Sequence, residues 1–133
     1  MGKVSETVKA KVLGESWVML QPSMIEGWGI TVIEANASGT PVIASDVSGL
    51  RDSIIHDKTG VLVAPGNVNE FALAMSHFIT DEKYRTLLTK NALNWSQKFT
   101  WDRSADAFYK IISAVVLEKS QVVLRKNISL AAK

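Results

Sequence analysis

Short apolar runs alternate along this chain with stretches of helical periodicity. Val4, Val8 and Val12 recur at helical spacing, and Gly14 is placed to end that helix. The run Trp17-Val-Met-Leu20 is compact, apolar and stopped by Pro22, which reads as a buried strand. Gly29 to Ser38 reads as a helix closed by Gly39. Pro41-Val-Ile-Ala-Ser45 is a second buried strand, and Leu50 to Ile55 a short helix. Asp57-Lys-Thr-Gly60 forms a turn before a third strand, Val61-Leu-Val-Ala64, which Pro65-Gly66 ends.

Beyond this point the pattern is helical. Asn67 with Glu70 three residues on predicts a capping box. Behind it Val68, Phe71, Ala72, Met75, Phe78 and Ile79 form one apolar face. A further helix carries Tyr84, Leu87, Leu88, Asn91, Trp95 and Phe99 on its inner side. Thr100 can cap a last helix with Trp101, Ala105, Phe108, Ile112, Val115 and Val116 facing inward. Residues 1–120 are expected to form the folded part, and 121–133 a tail that ends the helix or is disordered. Short buried strands separated by helices predict βαβ units and an α/β fold: a parallel sheet in a three-layer, Rossmann-like α/β/α arrangement. Three strands are few for a doubly wound domain.

Composition narrows the classes. The 133 residues suit one domain, and 47% hydrophobic with 21% charged residues is ordinary for a globular chain. The net charge of +2 is scattered, which gives no footprint for nucleic acid. Cysteine is absent, so disulfides and thiolate metal sites are excluded. No apolar run approaches the ~20 residues of a membrane span. The start of the chain, Met1-Gly-Lys-Val-Ser-Glu, lacks the apolar core of a signal peptide, so a cytoplasmic protein is expected.

The chemistry concentrates between Gln21 and Glu34. Ligands of an open parallel sheet bind outside the carboxyl ends of its strands, where the loop Gln21 to Trp28 leads from strand to helix. Gly27 and Gly29 flank Trp28 and let the backbone approach a ligand. The first N–H groups of the helix, near Ile30 and Thr31, make an anion site with the helix dipole. Glu34 lies one turn in, ~6 Å along the helix, where its carboxylate can accept from vicinal hydroxyls such as those of a ribose. Glu26 lies on the other side of the phosphate cradle. Carboxylate, cradle and carboxylate together suit a sugar–diphosphate–ribose.

Here the residues resemble a family. Pro22-Ser23, Glu26-Gly-Trp-Gly-Ile-Thr-Val-Ile-Glu34-Ala and Gly39-Thr-Pro-Val-Ile-Ala-Ser-Asp46 are similar to the C-terminal domain of retaining GT-B glycosyltransferases of the family-4-like, group 1 kind. That group includes glycogen, sucrose-phosphate and lipid-linked mannose transferases. The resemblance runs from about Val12 to Tyr109. It implies transfer of a hexose from a nucleotide-diphosphate sugar with no cofactor and no metal. Glu26 would contact hydroxyls of the transferred sugar as the catalytic residue. Backbone N–H groups of Gly27, Trp28, Gly29, Ile30 and Thr31 would hold sugar oxygens and diphosphate, and Glu34 the ribose. Where the family commonly has Gly-Gly-Leu-Pro-Glu, this chain has Ser48-Gly49-Leu50-Arg51-Asp52, so the turn is kept and contacts from the replaced positions are not.

The resemblance also implies absences. The family's diphosphate-neutralising Arg and Lys, most of the base pocket and the acceptor-binding N-terminal domain would precede residue 1. The three strands would then be half of a sheet of about six. The chain is expected to be a fragment, inactive alone, with an apolar strand edge open to self-association. The partners implied are the donor, the N-terminal domain and an acceptor that can sit at a membrane surface.

Other readings of the same residues are blander. Glu26 and Glu34 can be solvated surface carboxylates, and Gly27-Trp-Gly29 a structural turn with Trp28 packing or acting as a lid. A glycosidase pair fits poorly with one carboxylate inside a helix. His56 and His77 are isolated, and Ser16, Ser23 and Ser45 lack a nucleophile elbow. A nucleotide-binding or interaction module without transferase activity, and a GT-B nucleotide-sugar epimerase, stand as alternatives.

Overall fold

A computed structural model describes residues 2–131, with side chains through residue 119. The chain divides into two compact units, Met1–Lys98 and Phe99–Lys133. The first contains α1 (Glu6–Gly14), β1 (Met19–Gln21), α2 (Ile30–Ala37), β2 (Val42–Ser45), α3 (Ser48–Ser53), β3 (Gly60–Val63), α4 (Val68–Thr80) and α5 (Glu82–Ser96). The second is the helix α6 (Trp101–Ala131). Of the tail expected over 121–133, the last two residues and all side chains lie outside the described residues.

The strands form one parallel sheet in the order β1-β2-β3, with Leu20 beside Ile43 and Ile43 beside Val61. Alternation along β2 divides the core in two. Val42 and Ala44 pack with Val32, Ala35, Leu50 and Ile54. Ile43 packs on the opposite face with Val63, Phe78 and Leu88. Helices therefore cover both faces, as the three-layer expectation required. Each fully buried aliphatic side chain contributes about 1.5–3 kcal/mol, so the central strand and its neighbours anchor the unit. β2 is buried at every position, which is why it reads in sequence as an unbroken apolar run.

Several boundaries move for physical reasons. β1 begins at Met19 rather than Trp17 and extends to Gln21. Trp17 is 58% exposed, and the Arg85 guanidinium lies 4.2 Å above its ring, so this indole serves a cation–π contact rather than the sheet. α3 starts at Ser48 rather than Leu50, where the extended backbone of Val47 ends (φ −112°, ψ 157°). α1 buries no residue, and Val4, Val8 and Val12 stay exposed while Leu13 packs on the core.

The apolar face of α4 is narrower than expected. Phe71, Ala74, Met75 and Phe78 pack inward at i, i+3, i+4, i+7, whereas Val68, Ala72 and Ile79 are exposed. The capping box at its start forms in part: Asn67 Oδ1 accepts from the Glu70 N–H at 3.1 Å, but the Glu70 carboxylate accepts from Asn67 Nδ2 at 2.6 Å and the Ala64 N–H at 3.0 Å, while the Asn67 N–H donates to the Ala64 carbonyl. On α5 the buried residues are Leu88, Ala92 and Ser96, and Leu87 points to solvent. Trp95 is half-buried, with Nε1 donating to the Ser53 carbonyl at 2.8 Å. On α6, Trp101, Ala105, Phe108, Ile112, Val115 and Val116 are exposed rather than inward-facing. A single helix has no second element within its own unit on which to bury a face.

Asp81 caps α5 by accepting from the Tyr84 N–H at 2.9 Å. That bond, with a smaller share from His77, holds its carboxyl below the usual aspartate range. A folded pKa below the unfolded one means stabilisation that is present above about pH 4 and lost as pH falls through the folded value. Asp81→Ala is therefore expected to lower the melting temperature at neutral pH, with the gap from the unsubstituted chain closing in acid. Thermal melts across pH check this; a gap that stays constant into acid would contradict it.

Candidate functional site

The loop from Gln21 to Gly29 leaves the carboxyl end of β1 and enters α2, at the edge of a parallel sheet where ligands bind. Gln21, the last residue of the strand, organises it. Its Nε2 donates to Ser23 Oγ at 2.8 Å and to Glu26 Oε2 at 3.2 Å, and its Oε1 accepts from Thr31 Oγ1 at 3.5 Å. The Gly27 N–H donates to Glu26 Oε1 at 3.2 Å. One amide thus ties strand end, approach loop and first helical turn, and fixes Glu26 at the loop's centre. Sequence reasoning overlooked Gln21. Its place before Pro22-Ser23 was the available signal, but an uncharged amide suggests no chemistry until its partners are known.

Gly29 is the N-cap of α2 at φ 78°, and no side chain caps that helix. A methyl group here would stand 2.7 Å from Leu50 Cδ2, so glycine is required by space as well as by φ. The first turn of α2 holds no acidic side chain. Its leading N–H groups have no intrahelical acceptor, and Ile30 and Thr31 are exposed. This is the geometry of an anion-binding helix start.

Gly49 is the matching constraint from the next loop. A Cβ on it would lie 2.1 Å from the Glu26 carbonyl oxygen and 2.6 Å from that of Gly27. The start of α3 therefore rests directly on the backbone that presents Glu26. Arg51 secures this helix to the end of β2: its Nε donates to Asp46 Oδ1 at 2.6 Å, and its Nη2 to Asp46 Oδ2 and to the Asp46 carbonyl, each at 3.2 Å. The guanidinium holds the Asp46 carboxyl below its ordinary range. Arg51, at a position where this chain departs from the family pattern, thus pairs with Asp46, at a position where it does not.

Glu34 stands apart from the Gln21 network. It is half-buried, and its Oε1 accepts from Lys9 Nζ of α1 at 2.8 Å. Lys9 also pairs with Glu6 at 2.7 Å. The bond to Glu34, first, and that to Glu6 hold the Lys9 ammonium above its ordinary pKa. Nothing local in the sequence signals this contact between residues so far apart. The two histidines have structural partners: His56 Nδ1 accepts from the Leu62 N–H at 3.0 Å, and His77 stacks on Tyr84 at 4.2 Å. Among the described residues no group of three His, Cys, Asp or Glu comes together. No described helix is long and apolar enough to cross a membrane. A surface concavity of ≈ 230 Å³ between Trp95, Asn91, Lys58 and Lys98 lies by the loop that enters β3, at the opposite end of the strands.

A parallel sheet covered by helices on both faces, with a helix start that no side chain caps at its carboxyl edge, makes this an open α/β domain. Residues 1–95 match the family model of glycosyl transferases group 1, and the chain belongs to that family. It is 40% identical over 84 residues to a D-inositol 3-phosphate glycosyltransferase of Jonesia denitrificans, a match covering 63% of this chain and 20% of that protein. An uncharacterised glycosyltransferase of Methanocaldococcus jannaschii is 33% identical over 106 residues, covering 79% of this chain and 27% of the relative. The chain thus spans about a fifth to a quarter of these relatives' length. Sucrose-phosphate synthase of Thermosynechococcus elongatus superposes with a TM-score of 0.77 at 32% identity, over 86% of this chain and 30% of that one. The Anabaena protein HepE, solved with UDP-glucose, shares the fold with a TM-score of 0.72 at 24% identity, over 78% of this chain and 29% of that one. The expected α/β architecture of a GT-B C-terminal domain is therefore present.

Gly49→Ala tests the packing of the site. The methyl must displace the Glu26 carbonyl, and overpacking of this kind costs about 1–3 kcal/mol or more. Denaturant unfolding is expected to show that loss, with amide NMR shifts centred on Glu26 and Gly27. Unchanged stability would show that the two loops are not in contact.

Proposed function

We propose that this chain supplies part of the donor site of a retaining hexosyltransferase that uses a nucleotide-diphosphate sugar. The observation that carries the reading is the Gln21–Ser23–Glu26 network at the mouth of a helix start that has no side-chain cap. In it Glu26 accepts from hydroxyls of the transferred sugar. The N–H groups of Gly27, Trp28, Gly29, Ile30 and Thr31 receive sugar oxygens and diphosphate, and Glu34 accepts from the ribose. Fixed donors aimed at the departing diphosphate favour the transition state because they need no reorganisation during reaction. The relatives support a sugar donor of this class: one is a D-inositol 3-phosphate glycosyltransferase, and one structural neighbour was solved with UDP-glucose.

The site is incomplete in this reading. The cations that neutralise the diphosphate and the acceptor-binding domain belong to other parts of the parent enzyme. The chain alone is therefore expected to bind nucleotide weakly and to turn over no nucleotide sugar. UDP added to the chain should shift the amide NMR signals of Gly27 to Thr31. Glu34→Ala should weaken that binding about tenfold or more, since hydrogen bonds to a charged group contribute roughly 1.5–3 kcal/mol. Equal affinity in the variant would remove the ribose assignment, and turnover by the unsubstituted chain would show that the site is complete.

Among the described residues the outer edge of β1 pairs with no strand, and Leu20 on it is 40% exposed. We propose that the isolated chain associates with itself there, because an open apolar edge offers unpaired backbone groups to a second copy. Light scattering should show mass above the monomer as concentration rises, and Leu20→Lys should restore the monomer. A monomer at all concentrations would refute the association.

A further inference from the structure

We propose that Lys9 is a positioning residue for the nucleotide ribose, acting through Glu34; the inference rests on the ribose role proposed for Glu34. The geometry begins with α1. Near its end this helix is fixed by Leu13, which packs on the core and whose carbonyl accepts from Thr40 Oγ1. Toward its start it buries nothing, and the tie to α2 is the bond from Lys9 Nζ to Glu34 Oε1 at 2.8 Å. The pair is partly withdrawn from water, with side-chain exposures of 34% and 35%. Another pair on the same helix, Lys11–Glu15, is 3.9 Å long and far more open, at 73% and 67%. Screening is correspondingly weaker at Lys9, which makes it the pair able to hold a geometry.

The division of oxygens gives the pair its use. An ionised carboxylate has about four acceptor positions over two oxygens. Lys9 takes one on Oε1, and Oε2 makes no hydrogen bond among the described residues. Two vicinal hydroxyls need acceptors in one fixed orientation. A free glutamate on a helix surface samples several rotamers and must surrender them on binding. Glu6 also approaches the ammonium, at 2.7 Å, but its side chain is 84% exposed, so the withdrawn contact with Glu34 sets the geometry. Lys9 thus restricts Glu34 before ligand arrives, and the ordering cost at binding falls accordingly.

The test compares UDP with 2′,3′-dideoxy-UDP by amide NMR titration of the 133-residue chain. Five proteins are needed: the unsubstituted chain, Lys9→Met, Glu34→Gln, the double variant, and Lys11→Met as a charge control on the same helix. Lys9→Met is expected to weaken UDP binding about three- to tenfold, the scale of one immobilised side chain. Binding of the dideoxy nucleotide should change little. The double variant should bind UDP no more weakly than Glu34→Gln, and Lys11→Met should match the unsubstituted chain. Loss of the ribose preference in Glu34→Gln but not in Lys9→Met would overturn the role of Lys9 alone. An unchanged preference in Glu34→Gln, or no UDP binding by the unsubstituted chain, would overturn the ribose assignment and the inference built on it. Equal losses in Lys9→Met and Lys11→Met would reduce the effect to net charge, and so overturn the positioning role.

Discussion

Strand β2 has neither a face nor an edge left for water. Val42, Ile43, Ala44 and Ser45 are all buried, with β1 on one side, β3 on the other and a separate core cluster against each face. Burial on this scale fixes the register of both neighbours, because a slip of one residue would turn every side chain to the wrong layer. It also fixes where the two following features of the chain emerge. The loops after β1 and β2 leave the sheet side by side at its carboxyl edge, and the candidate site is built from those two loops.

The site is held at short range by close backbone contact and at longer range by polar ties. Gly49 allows α3 to rest on the carbonyls of Glu26 and Gly27, and Gly29 admits Leu50 beneath the start of α2. Gln21 then links Ser23, Glu26 and Thr31. The Arg51–Asp46 pair anchors α3 to the end of the central strand. Each of these parts orders the approach loop, and the helix start it exposes carries partial positive charge. The proposed donor site draws on that charge, with Glu26 and Glu34 to either side of it.

Family membership and chemistry stand on different ground. Membership follows from the match over residues 1–95. The retaining mechanism, the hexose and the division of roles between Glu26 and Glu34 are proposals that rest on the resemblance, for a chain that spans a fifth to a quarter of its relatives. The Lys9–Glu34 pair shows how the two differ in kind. A cation was expected only upstream, at the diphosphate; the structure adds one on α1, against the other carboxylate.

The amino-acid sequence by itself determined the three strands, the helices between them and the placement of Glu26, Gly27, Gly29 and Glu34 around one strand-to-helix turn. Those features are local: an apolar run bounded by proline or glycine, a helix start and a spacing can be read within a few residues. Strand and helix ends shifted by one or two positions, and the inner faces of α4, α5 and α6 were overestimated, because a face is inner only if another element arrives to cover it. Val68, Leu87 and Phe108 are apolar at helical spacing and exposed for that reason. The tertiary structure alone decided that Gln21 would organise the approach loop, that Gly49 would meet Glu26 and that Lys9 would reach Glu34. Each of these depends on the distance between side chains remote in sequence, which is set only when the sheet is formed and the helices are packed on it.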